Sequence, residues 1–254
     1  MFSVFNAIRD TYEASRKSQD IAWNTYVARP LAAVLVLILK KSPITPNQTT
    51  FLGVGVFIIA AAIMVGWSGP VGFLVAALVI QLAYLFDCVD GQLARIKDMT
   101  SEIGAYLDFL MDEIKALLLV AAASIRLWFV DGDVLWLFVG IGSVLVVAAA
   151  TSLTNFVRRP EYAGEQIDPG QSAKRQSMPD SPVGKVVWLV KAVARYFVHY
   201  PSWILWAAIL GFFAPVDTAL LFLVPFLGVY LMYLGQTALG VIWRLGRPGF
   251  YDEH

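Results

Sequence analysis

Two aspartates three positions apart follow a long uncharged stretch of the chain. Residues 71–86 read VGFLVAALVIQLAYLF, and DCVDGQLAR occupies residues 87–95. A carboxylate at the edge of a hydrocarbon layer is costly unless another group stabilises it. The position of Asp87 and Asp90 therefore predicts a positively charged partner, and carboxylate oxygens are typical ligands of divalent cations.

The residues around these two aspartates share one face of a predicted helix. That face repeats at i, i+3, i+4 and i+7 and consists of Asp87, Asp90, Gly91 and Ala94. The last two carry little or no side chain, so they leave room beside the acids for a ligand or a neighbouring backbone.

A second acidic face is predicted on the next helix. Gly104, Asp108 and Asp112 are spaced i, i+4 and i+8. Because the connection RIKDMTSE is short, we expect two antiparallel neighbouring helices whose acidic faces can meet. Four carboxylates in one pocket would repel one another, and nearby cations would remove that penalty.

The candidate ligands favour a hard cation. All four are carboxylates, whereas the histidines are His199 and His254 and the single cysteine is Cys88. Oxygen donors predict Mg²⁺ or Mn²⁺, with Ca²⁺ as an alternative, rather than Zn²⁺. Four carboxylates could hold two such ions, an arrangement that suits a transfer reaction at phosphorus.

Two further charged residues follow Asp112 on the same helix. Glu113 is rotated by about 100° from the Asp108–Asp112 face and is expected to point elsewhere. Lys115 could reach back to the site and contact substrate, or it could have a snorkelling or structural role.

Membrane helices are the elements that would position these residues. Apolar residues make up 58% of the 254-residue chain, charged residues 15%, and the mean hydropathy is +0.66. A soluble domain carries roughly a quarter charged residues, so lipid is expected to solvate most of this surface. The predicted fold class is an all-α integral membrane protein. A net charge of zero offers no field that would attract nucleic acid.

Six segments are predicted to cross the bilayer, which requires about 20 mostly apolar residues. Five reach that length directly, and one more does so if a polar start is allowed. They are residues 47–67, 71–94, 103–129, 134–157, 200–215 and 218–243.

The spans divide the chain into three regions. Residues 1–45 are expected to form an N-terminal cytoplasmic and interfacial helical region, because PLAAVLVLILKK at 30–41 is too short to cross. Residues 46–247 form the predicted six-helix catalytic domain, with a cytoplasmic loop at 158–184, and residues 248–254 form a C-terminal tail. The N-terminus does not resemble a cleavable signal, so we expect the chain to enter the membrane through its own spans.

Charge asymmetry predicts the orientation. With the N-terminus inside, 17 of the 19 Lys and Arg residues lie in inside loops. Lys115 falls within a span, and Arg126 lies toward the outside, as does Asp217. The positive-inside rule therefore predicts cytoplasmic termini and places DCVDGQLAR at the cytoplasmic side.

The acidic motif resembles the signature of the CDP-alcohol phosphotransferases. It consists of DCVDGQLAR at 87–95, eight residues, Gly104, three residues, Asp108, three residues and Asp112. Eight fixed positions over 26 residues make this match specific. ITPNQTT at 44–50 is also similar to the segment that opens the first span in many members. Six spans and an N-terminal interfacial helix agree with the family.

The resemblance implies a transferase of phospholipid biosynthesis. Its donor would be a CDP-linked alcohol, usually CDP-diacylglycerol, and its acceptor a small alcohol. The acceptor hydroxyl attacks the phosphorus that bears the donor's lipid alcohol, and CMP leaves. Family members use two divalent ions. The resemblance also implies a homodimer in the cytoplasmic membrane.

The resemblance further implies roles for individual residues. The implied metal ligands are Asp87, Asp90, Asp108 and Asp112, and Asp112 would also be the general base. The implied site for the CDP moiety consists of Asp90, Gly91, Ala94, Arg95 and Gly104. Arg95 would counter the phosphate charge there.

Two more groups of residues are predicted to contact substrate. The first opens the first span and consists of Pro46, Asn47 and Thr50. Helix capping is its main expected role, with donor contact in addition. The second group is basic and consists of Arg158, Arg159, Lys174 and Arg175. It would suit a phosphorylated acceptor, although ordinary cytoplasmic-loop charge is the favoured explanation.

Two other function classes remain open. A cation or proton transporter would also carry acids within its spans, although it predicts acids along a path through the bilayer. A catalytically silent scaffold gives the acids no reason to align.

Aromatic residues near the span ends are predicted to be interfacial belt residues rather than substrate platforms: Trp67, Trp128, Tyr200, Trp203 and Trp243.

Overall fold

The computed structural model describes residues 2–16, 20, 23–163 and 181–247. These residues form helices joined by short turns, and no strand occurs among them. The predicted all-α class is therefore confirmed. Four predictions lie wholly or mostly outside the described residues: Lys174, Arg175, the loop at 158–184 and the tail at 248–254.

The helices follow one another along the chain. Helix α1 spans Phe2–Ser15, and a π-helical turn at Asn24–Ala28 leads directly into α2 at Arg29–Leu39. The long helices are α3 (Pro46–Gly66), α4 (Gly69–Ile96), α5 (Glu102–Asp131), α6 (Leu135–Val157) and α10 (Thr218–Leu245). Three shorter helices precede α10: α7 (Pro160–Ala163), α8 (Pro182–Val198) and α9 (Tyr200–Leu210).

Four of the six predicted spans are confirmed by length and composition, because α3, α4, α6 and α10 are long and apolar enough to cross a membrane. Helix α5 coincides with the predicted third span and has 30 residues, but its first half carries charged side chains. Helix α9 has 11 residues, which is about 16 Å at the usual helical rise and short of the roughly 30 Å hydrocarbon layer. The chain is a multi-pass membrane protein, and the number six stays a prediction.

A complete capping box begins α3. Thr45 Oγ1 accepts a hydrogen bond from the Gln48 backbone N–H, and the Gln48 side chain accepts one from the Thr45 N–H. Pro46 occupies the first turn, where its missing N–H leaves no bond unmade. The predicted capping role of this segment is confirmed, with Thr45 as the N-cap.

Helix α3 lies between the two helices that carry the aspartates. It packs against both α4 and α5, and Gly53 lets α4 approach, because a Cβ there would lie 3.2 Å from the Ala83 carbonyl oxygen. Helices α4 and α5 themselves make no extensive backbone contact. The expectation that they are directly packed neighbours is wrong, because α3 packs against both while their acidic side chains meet across the space between them.

Helix α2 covers the end of α4 that carries the motif. The packed residues are Ala28, Ala32 and Val36 against Cys88, Val89 and Leu93. The opposite side of α2 exposes Leu31 and Ile38. A helix that is apolar on both sides suits a membrane boundary, and its interfacial location stays a prediction.

A buried arginine, Arg126, links several helices at the opposite end of the bundle. The Arg126 guanidinium at the end of α5 donates to both carboxylate oxygens of Asp217, which begins α10. It also donates to backbone carbonyl oxygens at the α3–α4 turn: Met64, Trp67 and Gly69. This arginine is therefore fully used in joining three helix ends.

Candidate active site

Three of the four predicted metal ligands come together. Asp87 and Asp90 from α4 and Asp108 from α5 each present a carboxylate oxygen, and these three atoms all lie within 4.8 Å of one another. We call these three residues the carboxylate cluster. Asp90 is 6% exposed and Asp87 is half-buried. Residues 18 to 21 positions apart in the chain meet here because the turn after α4 reverses the chain direction.

Helix α3 contributes a hydrogen bond to this cluster. Thr50 Oγ1 lies 2.6 Å from Asp90 Oδ2 and donates to it, and both side chains are buried. Pro46 is buried one turn earlier, whereas Asn47 is exposed. The carboxamide oxygen of Asn47 faces α5, since a Cβ added to Gly104 would lie 3.7 Å from it. Direct contact of these three residues with substrate stays a prediction.

Lys115 joins the site from the next turn of α5. Its Nζ lies 3.0 Å from Asp112 Oδ1 and also pairs with Asp87 Oδ1, and its side chain is 1% exposed. The sequence left open whether this lysine reaches the site or has a snorkelling role. The structure excludes snorkelling, because a buried ammonium between two carboxylates does not reach the membrane surface.

Asp112 lies beside the carboxylate cluster rather than within it. Its side chain is 48% exposed, in contrast to the buried Lys115 that it contacts. Glu113 points away, as predicted, and accepts a hydrogen bond from Asn155 Nδ2 on α6 at 3.1 Å. Asp112 is therefore accessible to a small molecule, and its predicted role as a metal ligand stays a prediction.

The charges at this site favour a bound cation. Asp87, Asp90, Asp108 and Asp112 carry four formal negative charges against the single ammonium of Lys115. The donor atoms of the cluster are all carboxylate oxygens, the ligand type that Mg²⁺ and Mn²⁺ prefer. The residues present thus fit a hard divalent cation. Such an ion would neutralise much of the repulsion between the carboxylates.

Arg95 extends from the end of α4 above the cluster. Its Nε donates to the Ser15 carbonyl oxygen at 2.7 Å. Its Nη2 is buried and has no hydrogen-bond partner among the described residues. A Cβ added to Gly91 would lie 3.6 Å from Nη1, so the guanidinium lies along the face that carries Gly91. Arg95 therefore keeps donor capacity beside the predicted CDP site.

A buried arginine, Arg29, lies near the motif end of α4. Arg29 at the start of α2 pairs with Asp20, whose other oxygen accepts from Asn24 Nδ2. Burial by itself lowers the pKa of Arg29, but the Asp20 carboxylate outweighs that effect and raises this pKa above its usual value. The arginine therefore stays charged, and it anchors the N-terminal region to the motif end of α4, where Gln92 donates to its carbonyl oxygen.

Gly104 has a structural reason to lack a side chain. It is in the first turn of α5, and its N–H donates to the capping oxygen Ser101 Oγ at 3.0 Å. A Cβ there would lie 3.1 Å from that same oxygen, which is too close to leave the cap undisturbed. Helix capping alone thus accounts for this glycine, and its contact with the CDP moiety stays a prediction.

The two described basic residues after α6 lie near the site end of α5. The Arg158 guanidinium lies 5.6 Å from the centre of the Phe109 ring, and Phe109 is adjacent to Asp108. Arg159 is exposed and lines a cavity of about 670 Å³ with Asn155, Glu161 and Tyr162. Arg158 thus lies near the end of α5 that carries Asp108, and contact of both arginines with substrate stays a prediction.

Tyr200 is not an interfacial belt residue, and the prediction for this residue is wrong. Trp67 and Trp243 are exposed by 51% and 67%, as belt residues should be, but Tyr200 is only 8% exposed. Its ring lies inside the bundle against Phe57 and Tyr84. A tyrosine beside a proline at a span end carries no distinctive spacing signal, so the sequence does not distinguish Tyr200 from a belt residue.

Comparisons with known proteins agree with this geometry. The CDP-alcohol phosphatidyltransferase family model matches residues 43–236. The chain is 31% identical over 140 residues to the inner membrane protein YnjF of Escherichia coli, covering 53% of this chain and 65% of YnjF. It is 33% identical over 117 residues to the bifunctional IPC transferase and DIPP synthase of Thermococcus kodakarensis, covering 43% and 24%. It is 29% identical over 167 residues to the phosphatidylinositol phosphate synthase of Corynebacterium glutamicum, covering 62% and 68%.

The first two of these relatives are matched over less than two thirds of their own length, 65% and 24%. The family model, in contrast, covers about three quarters of this chain, from the residues just before α3 into α10. That range includes the whole carboxylate cluster, Thr50, Lys115 and Tyr200. The chain therefore belongs to the CDP-alcohol phosphatidyltransferase family.

Proposed function

We propose that this protein transfers a phosphatidyl group from CDP-diacylglycerol to the hydroxyl of a small polar alcohol. A bond forms between the alcohol oxygen and the phosphorus that bears the lipid, and the bond from that phosphorus to CMP breaks. The alcohol proton goes to a base on the protein. The observation that carries this proposal is the meeting of three carboxylate oxygens from two helices within 4.8 Å.

The carboxylate cluster would hold a divalent cation, Mg²⁺ or Mn²⁺, and Asp112 would complete a two-ion site. When bound, such ions supply positive charge against the diphosphate of the donor and its leaving group. Phosphoryl transfer requires mainly positioning and charge neutralisation from a protein. A cluster fixed by Thr50 on one side and Lys115 on the other supports this role.

Asp112 is the proposed general base. Its side chain is half-exposed, whereas those of Asp87 and Lys115 are largely buried, so an alcohol can approach it. The ammonium of Lys115 orients that carboxylate from the side of the protein interior. A base must lie within hydrogen-bond reach of the proton that it accepts, and the Asp112 side chain is 48% exposed.

The CDP moiety is proposed to bind along the face of Asp90, Gly91 and Ala94. Arg95 would donate from its unpartnered Nη2 to a phosphate oxygen, since guanidinium groups bind phosphate through several N–H donors. The Ser15 carbonyl oxygen holds the other side of this guanidinium. The N-terminal region thus contributes indirectly to the proposed donor site.

An apolar cavity supports a lipid-linked donor rather than a water-soluble one. It has a volume of about 350 Å³, and α2, α3 and α4 line it almost entirely with apolar surface. Its lining includes Leu39, Leu52 and Phe86, the last of which is adjacent to Asp87. An acyl chain in this cavity would place the attached phosphate beside the carboxylate cluster.

A phosphorylated alcohol is a specific candidate for the acceptor. Arg158 and Arg159 lie near the site end of α5, and a phosphate requires such donors. One relative is a phosphatidylinositol phosphate synthase. Serine, glycerol 3-phosphate, inositol, choline and ethanolamine are the other acceptors to compare, and all of them would use the same carboxylates.

The transporter alternative gains no support. The described acids of the site cluster at one end of the bundle, and the family match is to transferases. At the other end, Asp217 is fully engaged by Arg126. A path of titratable groups through the membrane would require acids between these two ends.

We also propose the setting in which the transferase works. The active site would face the cytoplasm from the cytoplasmic membrane, and the protein would be a homodimer. Residues 46–247 would form the catalytic domain, with residues 1–45 as the interfacial region. The positive-inside distribution and the family resemblance support this arrangement.

Release of CMP tests the proposed function. Purified protein is incubated with Mn²⁺ or Mg²⁺, CDP-diacylglycerol and each acceptor in turn, and a phosphatidyl product is identified by mass spectrometry. We expect product with at least one acceptor, none with EDTA, and none with the Asp90→Asn variant. Asp131→Asn at the opposite end of α5 serves as the matched control and should retain activity. If no acceptor yields CMP beside a working family enzyme, the proposal is wrong.

A further inference from the structure

Tyr200 is held firmly in the interior of the bundle. It is the first residue of α9, and its ring centre lies 5.7 Å from that of Phe57 and 6.4 Å from that of Tyr84. Both contacts are edge-to-face, with interplanar angles of 81° and 75°. Such contacts from α3 and α4 fix the direction of the ring. The position of its hydroxyl is therefore determined by packing.

That hydroxyl is buried and has no hydrogen-bond partner among the described residues. Buried tyrosine hydroxyls usually find one, because an unmade hydrogen bond is costly in an apolar interior. The neighbouring tyrosine illustrates the usual case: Tyr84 Oη lies 2.6 Å from Asn24 Oδ1 and 3.0 Å from His199 Nε2. The contrast between two adjacent tyrosines indicates that the Tyr200 hydroxyl serves a group that binds.

Tyr200 packs against the helix that carries Asp87 and Asp90. Tyr84, which contacts the Tyr200 ring, is one helical turn before Asp87 on α4. Tyr200 thus packs against the turn of α4 that leads into the carboxylate cluster.

We propose that the Tyr200 hydroxyl donates a hydrogen bond to the attacking oxygen of the acceptor alcohol. This inference rests on the proposed function and adds a residue outside the acidic motif to it. The alcohol oxygen would give its proton to Asp112 and accept the bond from Tyr200 on a lone pair. Two fixed partners would orient the remaining lone pair toward phosphorus.

Packing alone does not account for a tyrosine at this position. A phenylalanine ring would make the same contacts with Phe57 and Tyr84 without burying an unpaired hydroxyl. If the residue served only the core, Tyr200→Phe would therefore be neutral or stabilising. If the residue serves the acceptor, that variant would keep its melting temperature and lose acceptor affinity. Neither role thus predicts a lower melting temperature, and only the acceptor role predicts a loss of acceptor affinity.

The test compares Tyr200→Phe with the wild type in the full-length protein. The acceptor used is the alcohol that gives the wild type its highest rate of CMP release in the panel above. We expect kcat/KM for this alcohol to fall about 10- to 100-fold, while the KM for CDP-diacylglycerol changes by less than about twofold. Calorimetric titration of the same alcohol into Mn²⁺-loaded protein with CMP should show a matching loss of affinity without turnover.

Two further variants separate chemistry from packing. Tyr196→Phe removes a hydroxyl from a tyrosine that is 40% exposed on α8, and it should behave like the wild type. Phe57→Leu loosens the ring contact but keeps the Tyr200 hydroxyl, so it should lower the melting temperature more than it lowers acceptor affinity.

Each outcome decides the proposal. A selective loss of acceptor affinity in Tyr200→Phe supports it. An active wild type with an unaffected Tyr200→Phe variant overturns this role alone and leaves the proposed function in place. A variant that melts early and loses donor and acceptor affinity alike also overturns it, because Tyr200 would then be structural. A wild type that releases no CMP with any alcohol overturns the proposed function and this role together.

Discussion

Lys115 Nζ lies 3.0 Å from Asp112 Oδ1, one helical turn earlier on α5, and pairs at the same time with Asp87 on α4. This single ammonium links the two helices that α3 otherwise keeps from packing together. It also distinguishes two kinds of acid in the site. Asp87 is paired and largely buried, whereas Asp112 is paired on one side and open on the other.

Removing the Lys115 ammonium should destabilise the protein, and a bound metal ion should restore part of the lost stability. In Lys115→Met, Asp87 keeps a buried charge without its partner, and breaking such a pair costs about 3–5 kcal/mol. We expect a lower melting temperature in EDTA and a larger rise on addition of Mn²⁺ than in the wild type, because the ion then neutralises the carboxylates. Scanning fluorimetry in detergent measures both quantities.

The matched control is Lys97→Met. Lys97 Nζ donates to the carbonyl oxygens of Ser42 and Ile44 and to no carboxylate in the part of the chain that the structure describes. Its variant should show the wild-type response to Mn²⁺, whatever its melting temperature. A Lys115→Met protein that melts like the wild type in EDTA would show that the pair contributes nothing to stability.

Thr50→Val should weaken metal binding. The valine is close in shape but removes the 2.6 Å hydrogen bond to Asp90, and a bond to a charged group contributes about 1.5–3 kcal/mol. We expect half-maximal CMP release to require on the order of tenfold more Mn²⁺, with Thr50→Ser close to the wild type. Thr154→Val removes a hydroxyl that bonds only within α6 and should change nothing. Equal Mn²⁺ requirements in Thr50→Val and wild type would contradict the role of this bond.

The two kinds of acid should respond differently to neutralisation. Asp112→Asn is expected to abolish turnover while largely preserving donor binding, since the proposed base is lost but the carboxylate cluster remains. Asp87→Asn should lose donor binding as well, because it removes a member of the cluster. Binding of CDP-diacylglycerol in the presence of Mn²⁺ is measured by calorimetry beside CMP release. Equal loss of binding in both variants would remove the assignment of Asp112 as base.

Filling the apolar cavity should select against long acyl chains. Leu52→Trp introduces a larger side chain into its wall, so we expect a severalfold higher KM for dioleoyl CDP-diacylglycerol and an unchanged KM for the dihexanoyl form. Leu145→Trp places the same side chain on the exposed, lipid-facing surface of α6 and serves as control. An equal effect on both donors would mean that the cavity does not hold the acyl chain.

The ion pair between Arg126 and Asp217 should contribute to stability and should not affect metal binding at the active site. Arg126→Met leaves Asp217 largely buried and unpaired and frees three backbone carbonyl oxygens, so we expect a loss of about 3–5 kcal/mol. Asp217→Asn combined with Arg126→Met should recover part of it, because no charge is then left behind. The Mn²⁺ concentration at half-maximal CMP release should not change in either protein. A shift in that concentration would show that the two ends of the bundle are coupled.

Local features of the chain were sufficient for much of this description. Apolar runs predict four spans that α3, α4, α6 and α10 confirm, because a membrane requires long apolar helices whatever their neighbours are. Helical spacing alone places Asp87 with Asp90, since residues three apart share a face. The capping box of Thr45 is likewise a relationship between residues three positions apart.

The tertiary structure decided which distant groups complete the site. Thr50 reaches Asp90 across 40 residues, Lys115 reaches Asp87 across 28, and the Tyr200 ring on α9 contacts Tyr84 on α4. None of these contacts can be read from regular spacing along the chain, because each depends on how α3, α4 and α5 pack together. The same packing replaced the expected direct contact of α4 and α5 with a space between acidic faces. Spacing along the chain determined which acids could cooperate, and helix packing determined what surrounds them.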